Sequence, residues 1–128
     1  FYKSEPIPKS NQPWYVNGVV EIKTTLHPFD ILKKLFFIEN HFKRIRRKKN
    51  EPRIIDLDLI CYNNLISRKR SLILPHPRMH KRMFVLKPWS DIANTFKVVD
   101  YNLTVGELLE ISPDSSELTL ILDNEGLL

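Results

Sequence analysis

Residues 53–60 read Arg-Ile-Ile-Asp-Leu-Asp-Leu-Ile, and this stretch decides more about the chain than any other. Side chains alternate between the two faces of a strand, so Asp56 and Asp58 share one face while Leu57 points to the other. A rise of about 3.3 Å per residue separates the two carboxylates by roughly 6.6 Å. Oxygen donors at this spacing suit one or two Mg²⁺ ions beside a polyphosphate. The alternative is an outer strand face on which both carboxylates are merely solvated.

Positive charge is expected near this pair, because two aspartates on one strand face repel each other. Seven of the eleven residues from Lys43 to Arg53 are Lys or Arg, and further basic clusters lie at 68–70 and 78–82. Nucleic-acid phosphates would be repelled by the aspartates unless a metal bridged them, so small-molecule phosphate is the better predicted partner. A basic RNA-binding module is the rival interpretation, which the formal net charge of +5 permits. It lacks an aromatic-rich RNA-binding strand motif.

The composition predicts one soluble globular domain over residues 1–128. Cys61 is the single cysteine and falls on the apolar face of the predicted strand. No disulfide framework is therefore possible within one chain, which suits a reducing cytosol and a cytoplasmic protein. No apolar run approaches the roughly 20 residues of a membrane span, so we expect no membrane partner.

Hydrophobic spacing predicts a mixture of strands and helices. The expected strands and extended stretches are the end of a strand at Phe1-Tyr2, 15–26 with a bulge at Gly18, the buried strand 54–62 followed by a turn at Asn63-Asn64, 65–74, and 117–122. The expected helices are Pro28 to about Arg44, about Arg78 to Ile92 with a kink or division at Pro88, and a short helix opened by a capping box of Thr104 and Glu107.

A second informative motif is Leu-Pro-His-Pro-Arg-Met-His-Lys-Arg-Met-Phe at residues 74–84. If the segment turns helical after its second proline, Arg78 and Arg82 lie four residues apart on one face. Guanidinium groups bind phosphate oxygens through paired N–H bonds, and His76 adds a single directed donor. The alternative is a proline turn with a surface histidine and solvated arginines. Zinc binding by His76 and His80 is disfavoured because no third ligand lies close in the sequence.

These motifs occur in an order that resembles a known family. They are Ile38-Glu39, Lys-Arg-Ile-Arg at 43–46, Pro-Arg-Ile-Ile-Asp-Leu-Asp at 52–58, Pro75-His76 and Arg-Met-Phe at 82–84. The chain resembles 6-hydroxymethyl-7,8-dihydropterin pyrophosphokinase of the folate pathway, from residue 1 to about Ile92. Residues 1–6 and 14–17 look like that family's pterin-side loop and second strand. The tail beyond about Asp100 is similar only loosely.

The resemblance implies transfer of pyrophosphate from MgATP to the hydroxymethyl oxygen of the reduced pterin, with release of AMP. ATP and the pterin are then the substrates, and two Mg²⁺ ions are the cofactors, held by Asp56 and Asp58. The implied catalytic residues are Arg44, Arg53, Asp56, Asp58 and Arg82. The implied nucleotide-binding residues are Glu39, Arg44, Arg46, Arg53, Leu59, His76 and Arg82. The implied pterin-binding residues are Ser4, Glu5, Ile7, Tyr15, Asn17 and Phe84, with the pterin between the rings of Tyr15 and Phe84.

Each implied role has a plainer alternative. Tyr15 and Phe84 could be ordinary core aromatics, and Glu39 could form a solvated ion pair with Lys43 one helical turn later. The basic loop predicted at residues 46–53 could be an exposed run without a ligand. A further alternative for the whole chain is a non-catalytic remnant of the enzyme.

The resemblance also implies an α+β fold of the ferredoxin-like type, an antiparallel sheet with helices packed on one face. The family's leading strand, with its Gly-Ser-Asn turn, and the helix that follows do not occur before Phe1. We therefore expect this stretch to lack both and to be only marginally stable by itself. Asn50-Glu51 stand where the family commonly has a loop Trp, which bears on affinity. Fusion to, or association with, the next folate-pathway enzyme is left open.

Overall fold

The computed structural model describes residues 1–5, 11, 14–43 and 55–122. The described strands are β1 (Tyr2–Ser4), β2 (Tyr15–Asn17), β3 (Ser67–Lys69), β4 (Leu72–Leu74), β5 (Lys97–Val98), β6 (Leu103–Thr104) and β7 (Thr119–Leu120). The described helices are α1 (Pro28–Lys43), α2 (Met83–Ala93) and α3 (Val105–Ile111), together with a single 3-10 turn at Met79–Lys81. Helices combined with antiparallel strands make this an α+β protein, as predicted.

The chain divides into two compact units. Lys23–His76 forms the continuous unit, and Phe1–Ile22 together with Pro77–Leu128 forms the discontinuous unit. Within the described residues, no helix has the length and apolar character needed to cross a membrane.

Helix α1 is the main element of the continuous unit and begins where the sequence predicts. Pro28 suits the first turn, where its missing N–H needs no partner and its fixed φ is already helical. The carbonyl of His27 accepts from the N–H groups of Asp30 at 3.0 Å and Ile31 at 3.1 Å. Asp30 in the first turn and basic residues in the last turn complement the helix dipole.

The extended stretch predicted at 65–74 is a hairpin rather than one strand. Strands β3 and β4 pair antiparallel with Ser67 opposite Leu74 and Lys69 opposite Leu72. The Ser67 hydroxyl donates to the carbonyl of Leu72 at 2.6 Å. Leu72 and Leu74 are buried, so one face of the hairpin contributes to the core. The turn predicted at Asn63-Asn64 is confirmed.

The buried strand predicted at 54–62 is wrong as a hydrogen-bonded element. No strand is assigned over residues 55–62, and Leu57 is half-buried rather than buried. A strand requires a ladder of bonds to a neighbouring strand, and alternating side chains alone do not supply one. The stretch is tied instead by separate bonds. The carbonyl of Ile60 accepts from His76 N–H at 2.7 Å, and the Tyr62 hydroxyl donates to the carbonyl of Leu26 at 2.8 Å.

A three-stranded antiparallel sheet of order β2-β1-β7 lies in the discontinuous unit. Strand β2 is much shorter than the predicted 15–26, because its pairing with β1 ends where Asn17 meets Tyr2. Beyond the end of this pairing, the Val20 side chain is 76% exposed. Gly18 follows β2 instead of forming a bulge within it, and a Cβ there would lie 2.7 Å from the Phe1 ring.

The helix predicted at 78–92 is divided at Arg82 rather than at Pro88. Arg82 has an extended backbone, with φ −122° and ψ 109°, between the 3-10 turn and α2. Pro88 lies inside α2 and is buried. Proline removes one intrahelical bond, but packing of α2 against α3 keeps the turn around Pro88 helical.

The core of the discontinuous unit lies under α2 and α3. Its buried side chains are Tyr2, Met79, Leu86, Trp89, Val98, Val105 and Leu108. The predicted capping box of α3 is confirmed. The Thr104 hydroxyl accepts from Glu107 N–H at 3.1 Å, and the Glu107 carboxylate accepts from Thr104 N–H at 3.0 Å. The final strand is confined to Thr119–Leu120 instead of 117–122.

Candidate functional site

The two predicted metal-binding carboxylates lie in the continuous unit. Asp56 and Asp58 are exposed, whereas Ile55, Leu57 and Leu59 between and around them are half-buried. The alternation of side chains that the sequence predicts is therefore present even though no strand ladder is assigned. Both carboxylates are accessible to a ligand in solution.

A buried carboxylate holds the backbone between these two aspartates. Glu39 on α1 is only 8% exposed, and its Oε2 accepts from the N–H of Leu57 at 2.9 Å. Buried acidic groups are costly unless they are hydrogen-bonded, so this contact accounts for the position of Glu39. The solvated ion pair with Lys43, which the sequence left open, does not fit a buried Glu39. The bond restrains the backbone at Leu57, between Asp56 and Asp58.

Sequence reasoning missed this contact, although a signal was available. Ile31, Leu35 and Glu39 follow one another at intervals of four residues and share one face of α1. Ile31 is buried on that face. An acidic residue in line with apolar residues indicates a buried carboxylate with a specific partner.

His76 and Leu59 also lie in the continuous unit. His76 is half-buried and follows a cis peptide bond between Leu74 and Pro75. Its N–H donates to Ile60, so the end of the β3–β4 hairpin is tied to the stretch that carries the aspartates. The structure thus brings Glu39 and the aspartate stretch together with the residue predicted to donate to phosphate.

The other described site residues belong to the discontinuous unit. Ser4 and Tyr15 are directly opposite each other in the β1–β2 pair, and the Tyr15 side chain is 54% exposed. Tyr15 is therefore no core aromatic. The Arg82 guanidinium lies over the half-buried Phe84 ring, 5.5 Å from its centroid, as a cation–π contact. Glu5 is exposed after β1, and Asn17 is half-buried at the end of β2.

Four predicted site residues lie outside the described residues. They are Ile7, Arg44, Arg46 and Arg53. The whole of the predicted basic loop, residues 46–53, lies outside the described residues.

The donor chemistry of the aspartate pair fits Mg²⁺. Carboxylate oxygens are the hard ligands this ion prefers, and it usually keeps several waters or phosphate oxygens besides one or two carboxylates. Within residues 1–5, 11, 14–43 and 55–122, no group of three or more His, Cys, Asp or Glu side chains is gathered to hold a metal.

Two residues near the predicted phosphate-binding arginine were not foreseen. The Tyr101 hydroxyl lies 2.8 Å from Nδ1 of His80, and the Asp114 carboxylate accepts from Met83 N–H at 2.8 Å. Both belong to the part of the sequence that resembles the family only loosely. The bonded residues are 21 and 31 positions apart in sequence, so no local pattern predicts either contact.

Comparison with known proteins agrees with the motif order. The family model described as 7,8-dihydro-6-hydroxymethylpterin-pyrophosphokinase (HPPK) matches residues 1–94. All the site residues predicted from the resemblance lie within this range. The match ends at the C-terminus of α2 and does not include α3.

Three curated relatives illustrate the similarity. The 2-amino-4-hydroxy-6-hydroxymethyldihydropteridine pyrophosphokinase of Haemophilus influenzae is 38% identical over 120 residues, which is 94% of this chain and 74% of that protein. Its namesake from Bacillus subtilis is 41% identical over 91 residues, 71% of this chain and 54% of that protein. The folic acid synthesis protein fol1 of Pneumocystis carinii is 42% identical over 92 residues, 72% of this chain.

The chain spans only part of these relatives, about half of the Bacillus protein and 12% of the Pneumocystis protein. The family match nevertheless covers well over half of this chain, from the first strand to the end of α2. The chain belongs to the 7,8-dihydro-6-hydroxymethylpterin-pyrophosphokinase family.

Proposed function

We propose that the chain transfers pyrophosphate from MgATP to 6-hydroxymethyl-7,8-dihydropterin in folate biosynthesis. The hydroxymethyl oxygen attacks the β-phosphorus of ATP and its proton is released to water. The bond from that phosphorus to the α,β-bridging oxygen breaks, and AMP leaves. The observation that carries the proposal is the exposed pair Asp56 and Asp58. The N–H of Leu57 between them donates to buried Glu39. All of these residues lie inside the segment that matches the family. The relatives' names describe the same pyrophosphokinase activity.

In the continuous unit, Asp56 and Asp58 would hold two Mg²⁺ ions. When bound, Mg²⁺ neutralises charge on the phosphate oxygens and helps to align the reacting groups. The exposure of both carboxylates supports this role, as does the fixed peptide between them. His76 would donate to a phosphate oxygen, and Leu59 would line the nucleotide side.

The role we propose for Glu39 differs from the nucleotide binding that the resemblance implies. Its carboxylate is occupied by Leu57 N–H and is buried, so we assign it a positioning role at the nucleotide side. The arginines predicted on and beside the basic loop, Arg44, Arg46 and Arg53, would contact the triphosphate. Their planar guanidinium groups suit paired bonds to phosphate oxygens.

In the discontinuous unit, the pterin would stack between Tyr15 and Phe84. The exposure of the Tyr15 ring supports a ligand contact rather than a core role. Ser4, Glu5, Ile7 and Asn17 would recognise the polar edge of the pterin. Arg82 would bind phosphate, and the Phe84 ring beneath its guanidinium restricts the orientation of that group. Little general-base chemistry is needed, because positioning and charge neutralisation carry most transfers of this type.

The proposed architecture is a single ferredoxin-like domain over residues 1–128, with helices on one face of an antiparallel sheet. The antiparallel order β2-β1-β7 and the contact of α2 with β2 support it. The Pneumocystis relative, of which this chain covers 12%, supports fusion to or association with a further folate-pathway enzyme.

The direct test measures AMP release from MgATP and the reduced pterin by the natural protein that carries this sequence. We expect AMP and pyrophosphorylated pterin in equal amounts, and loss of both when a chelator removes Mg²⁺. A protein without turnover under these conditions would be the non-catalytic remnant. RNA binding that weakens steeply with salt, together with no release of AMP, would establish the rival RNA-binding function.

A further inference from the structure

Residues 95–122 lie beyond the family match, yet two of their side chains bond to the segment that carries Arg82 and Phe84. We propose that Tyr101 and Asp114 act as a C-terminal clamp that positions Arg82 and Phe84 for binding of phosphate and pterin. The inference rests on the proposed function and assigns a role to a region that the motifs leave unexplained.

Asp114 caps helix α2 from a distance of 31 residues in sequence. The first four N–H groups of a helix have no partner within it. The residue at the N-cap, Arg82, supplies no side-chain cap bond. Oδ2 of Asp114 instead accepts from the N–H of Met83, the first residue of α2, at 2.8 Å. A carboxylate suits this position because it accepts a charge-assisted hydrogen bond. Its negative charge is also stabilised by the positive end of the helix dipole.

The second oxygen of Asp114 is held within its own loop. Oδ1 accepts from the N–H of Ser116 at 2.8 Å and also from the Ser116 hydroxyl. Partial burial raises the pKa of Asp114, but the bonds from Ser116 and Met83 outweigh that effect, so the pKa is lowered. The cap is therefore a charged carboxylate at neutral pH, fixed on both oxygens.

Tyr101 contacts the 3-10 turn that precedes Arg82 in sequence. Its hydroxyl lies 2.8 Å from Nδ1 of His80, and the two rings are 4.8 Å apart between centroids. His80 belongs to the 3-10 turn that ends in a bond from Arg82 N–H to the carbonyl of Met79 at 3.3 Å. The Met79 side chain is 1% exposed, so the start of this turn is anchored in the core.

The turn that presents Tyr101 has its own local cause. Asp100 and Asn102 on either side have φ values of 76° and 56°, in the left-handed region that Asp and Asn tolerate better than most residues. Asn102 N–H donates to the carbonyl of Val98 at 3.1 Å. The β5–β6 connection thus presents Tyr101 in one defined orientation.

The two contacts lie on opposite sides of Arg82 in sequence. Arg82 is the extended residue between the 3-10 turn and α2, so rotation of its backbone would redirect both its guanidinium and the Phe84 ring. Bonds at His80 and Met83 restrict that rotation before any ligand arrives. A group held in its binding orientation loses less entropy when the ligand binds, which improves affinity without a new contact.

The test compares Asp114→Ala, Asp114→Asn and Tyr101→Phe with the parent protein, and uses Glu110→Ala as the matched control. Glu110 is an exposed acid in the same region. We expect Asp114→Ala to speed hydrogen exchange of the Met83 amide about tenfold and to weaken binding of the reduced pterin about fivefold to tenfold. Asp114→Asn keeps one acceptor oxygen and should recover most of the loss. Tyr101→Phe should weaken pterin binding about threefold, with Mn²⁺ affinity of the aspartate pair unchanged.

Three negative outcomes are distinguishable. A parent that binds no pterin overturns the proposed function, and the role of the clamp with it. A parent that binds pterin, with Asp114→Ala and Tyr101→Phe binding as tightly, overturns the clamp alone. Faster exchange at Met83 without weaker pterin binding would make Asp114 a helix cap only, which also overturns the inference. If Asp114→Ala fails to fold, Tyr101→Phe supplies the comparison by itself, and parent-like pterin binding in that variant overturns the clamp.

Discussion

The two compact units hold their predicted functional residues in different ways. In the continuous unit the aspartates project from a stretch without an assigned strand ladder, and the peptide between them is bonded to one buried side chain, Glu39. In the discontinuous unit the segment around Arg82 is held by a 3-10 turn anchored through buried Met79, a distant helix cap and a tyrosine–histidine contact. Single substitutions should therefore reduce activity more in the continuous unit, because fewer contacts position the functional residues there.

The largest expected effect follows removal of either aspartate. Asp56→Ala or Asp58→Ala should lower pyrophosphoryl transfer by about a thousandfold or more, because a metal site contributes several kcal/mol to transition-state stabilisation. For Asp58→Ala the free energy of unfolding should stay the same or rise, since like-charge repulsion is relieved. Turnover and chemical denaturation of both variants check this. Normal turnover in either variant would remove metal ligation from the mechanism.

A smaller effect is expected for Glu39, the residue that supports the pair. Glu39→Ala leaves the N–H of Leu57 without its acceptor, which should cost about 1–3 kcal/mol of unfolding free energy. Affinity for Mn²⁺ should fall about 10-fold to 100-fold, as for other residues that orient metal ligands. Glu39→Gln retains an acceptor and should recover much of both losses. Unchanged Mn²⁺ affinity in Glu39→Ala would show that α1 does not orient the aspartates.

Arg82→Lys tests the discontinuous unit at its predicted phosphate contact. The change keeps the charge but removes the planar fork and weakens the contact with Phe84, so turnover should fall about tenfold or somewhat more. Binding of the reduced pterin should weaken less than turnover, whereas His76→Ala should act chiefly on ATP affinity. Separate measurements of turnover and of the two substrate affinities check both. Parent-like behaviour of both variants would leave these residues as surface groups.

The smallest effect at neutral pH concerns Tyr2, which joins β1 to α2. Its hydroxyl donates to the Asp91 carboxylate. That bond, followed by burial and the charge of Asp91, raises the pKa of Tyr2 from 10.0 to about 12. Because the folded-state pKa is the higher one, the stabilisation is complete below pH 10 and is lost as the pH rises toward 12.

Unfolding free energies of the parent and of Tyr2→Phe, measured between about pH 9 and pH 12, test this linkage. The parent should be the more stable protein at pH 9, and the difference between the two should shrink across the interval. A constant difference would show that the Asp91 contact does not control ionisation of Tyr2.

Predictions from local sequence were confirmed where their cause is local. The first turn of α1 follows from Pro28, and the capping box of α3 follows from Thr104 and Glu107 three residues apart. Where an element depended on a distant partner, its extent was wrong. The strand expected at 15–26 ends at Asn17 because its pairing with β1 ends there, and the stretch expected to be a strand at 54–62 has no ladder in its described part.

The sequence by itself determined the alternation that exposes Asp56 and Asp58, and the order of motifs that identifies the family. Period-two alternation and helix caps depend on residues a few positions apart, so they can be read without knowing the fold. Only the tertiary structure decided that Glu39 supports the aspartates across 18 residues, and that Asp114 caps α2 across 31. Such bonds form when packing brings distant backbone groups within about 3 Å of a side chain, a geometry that no short-range pattern encodes.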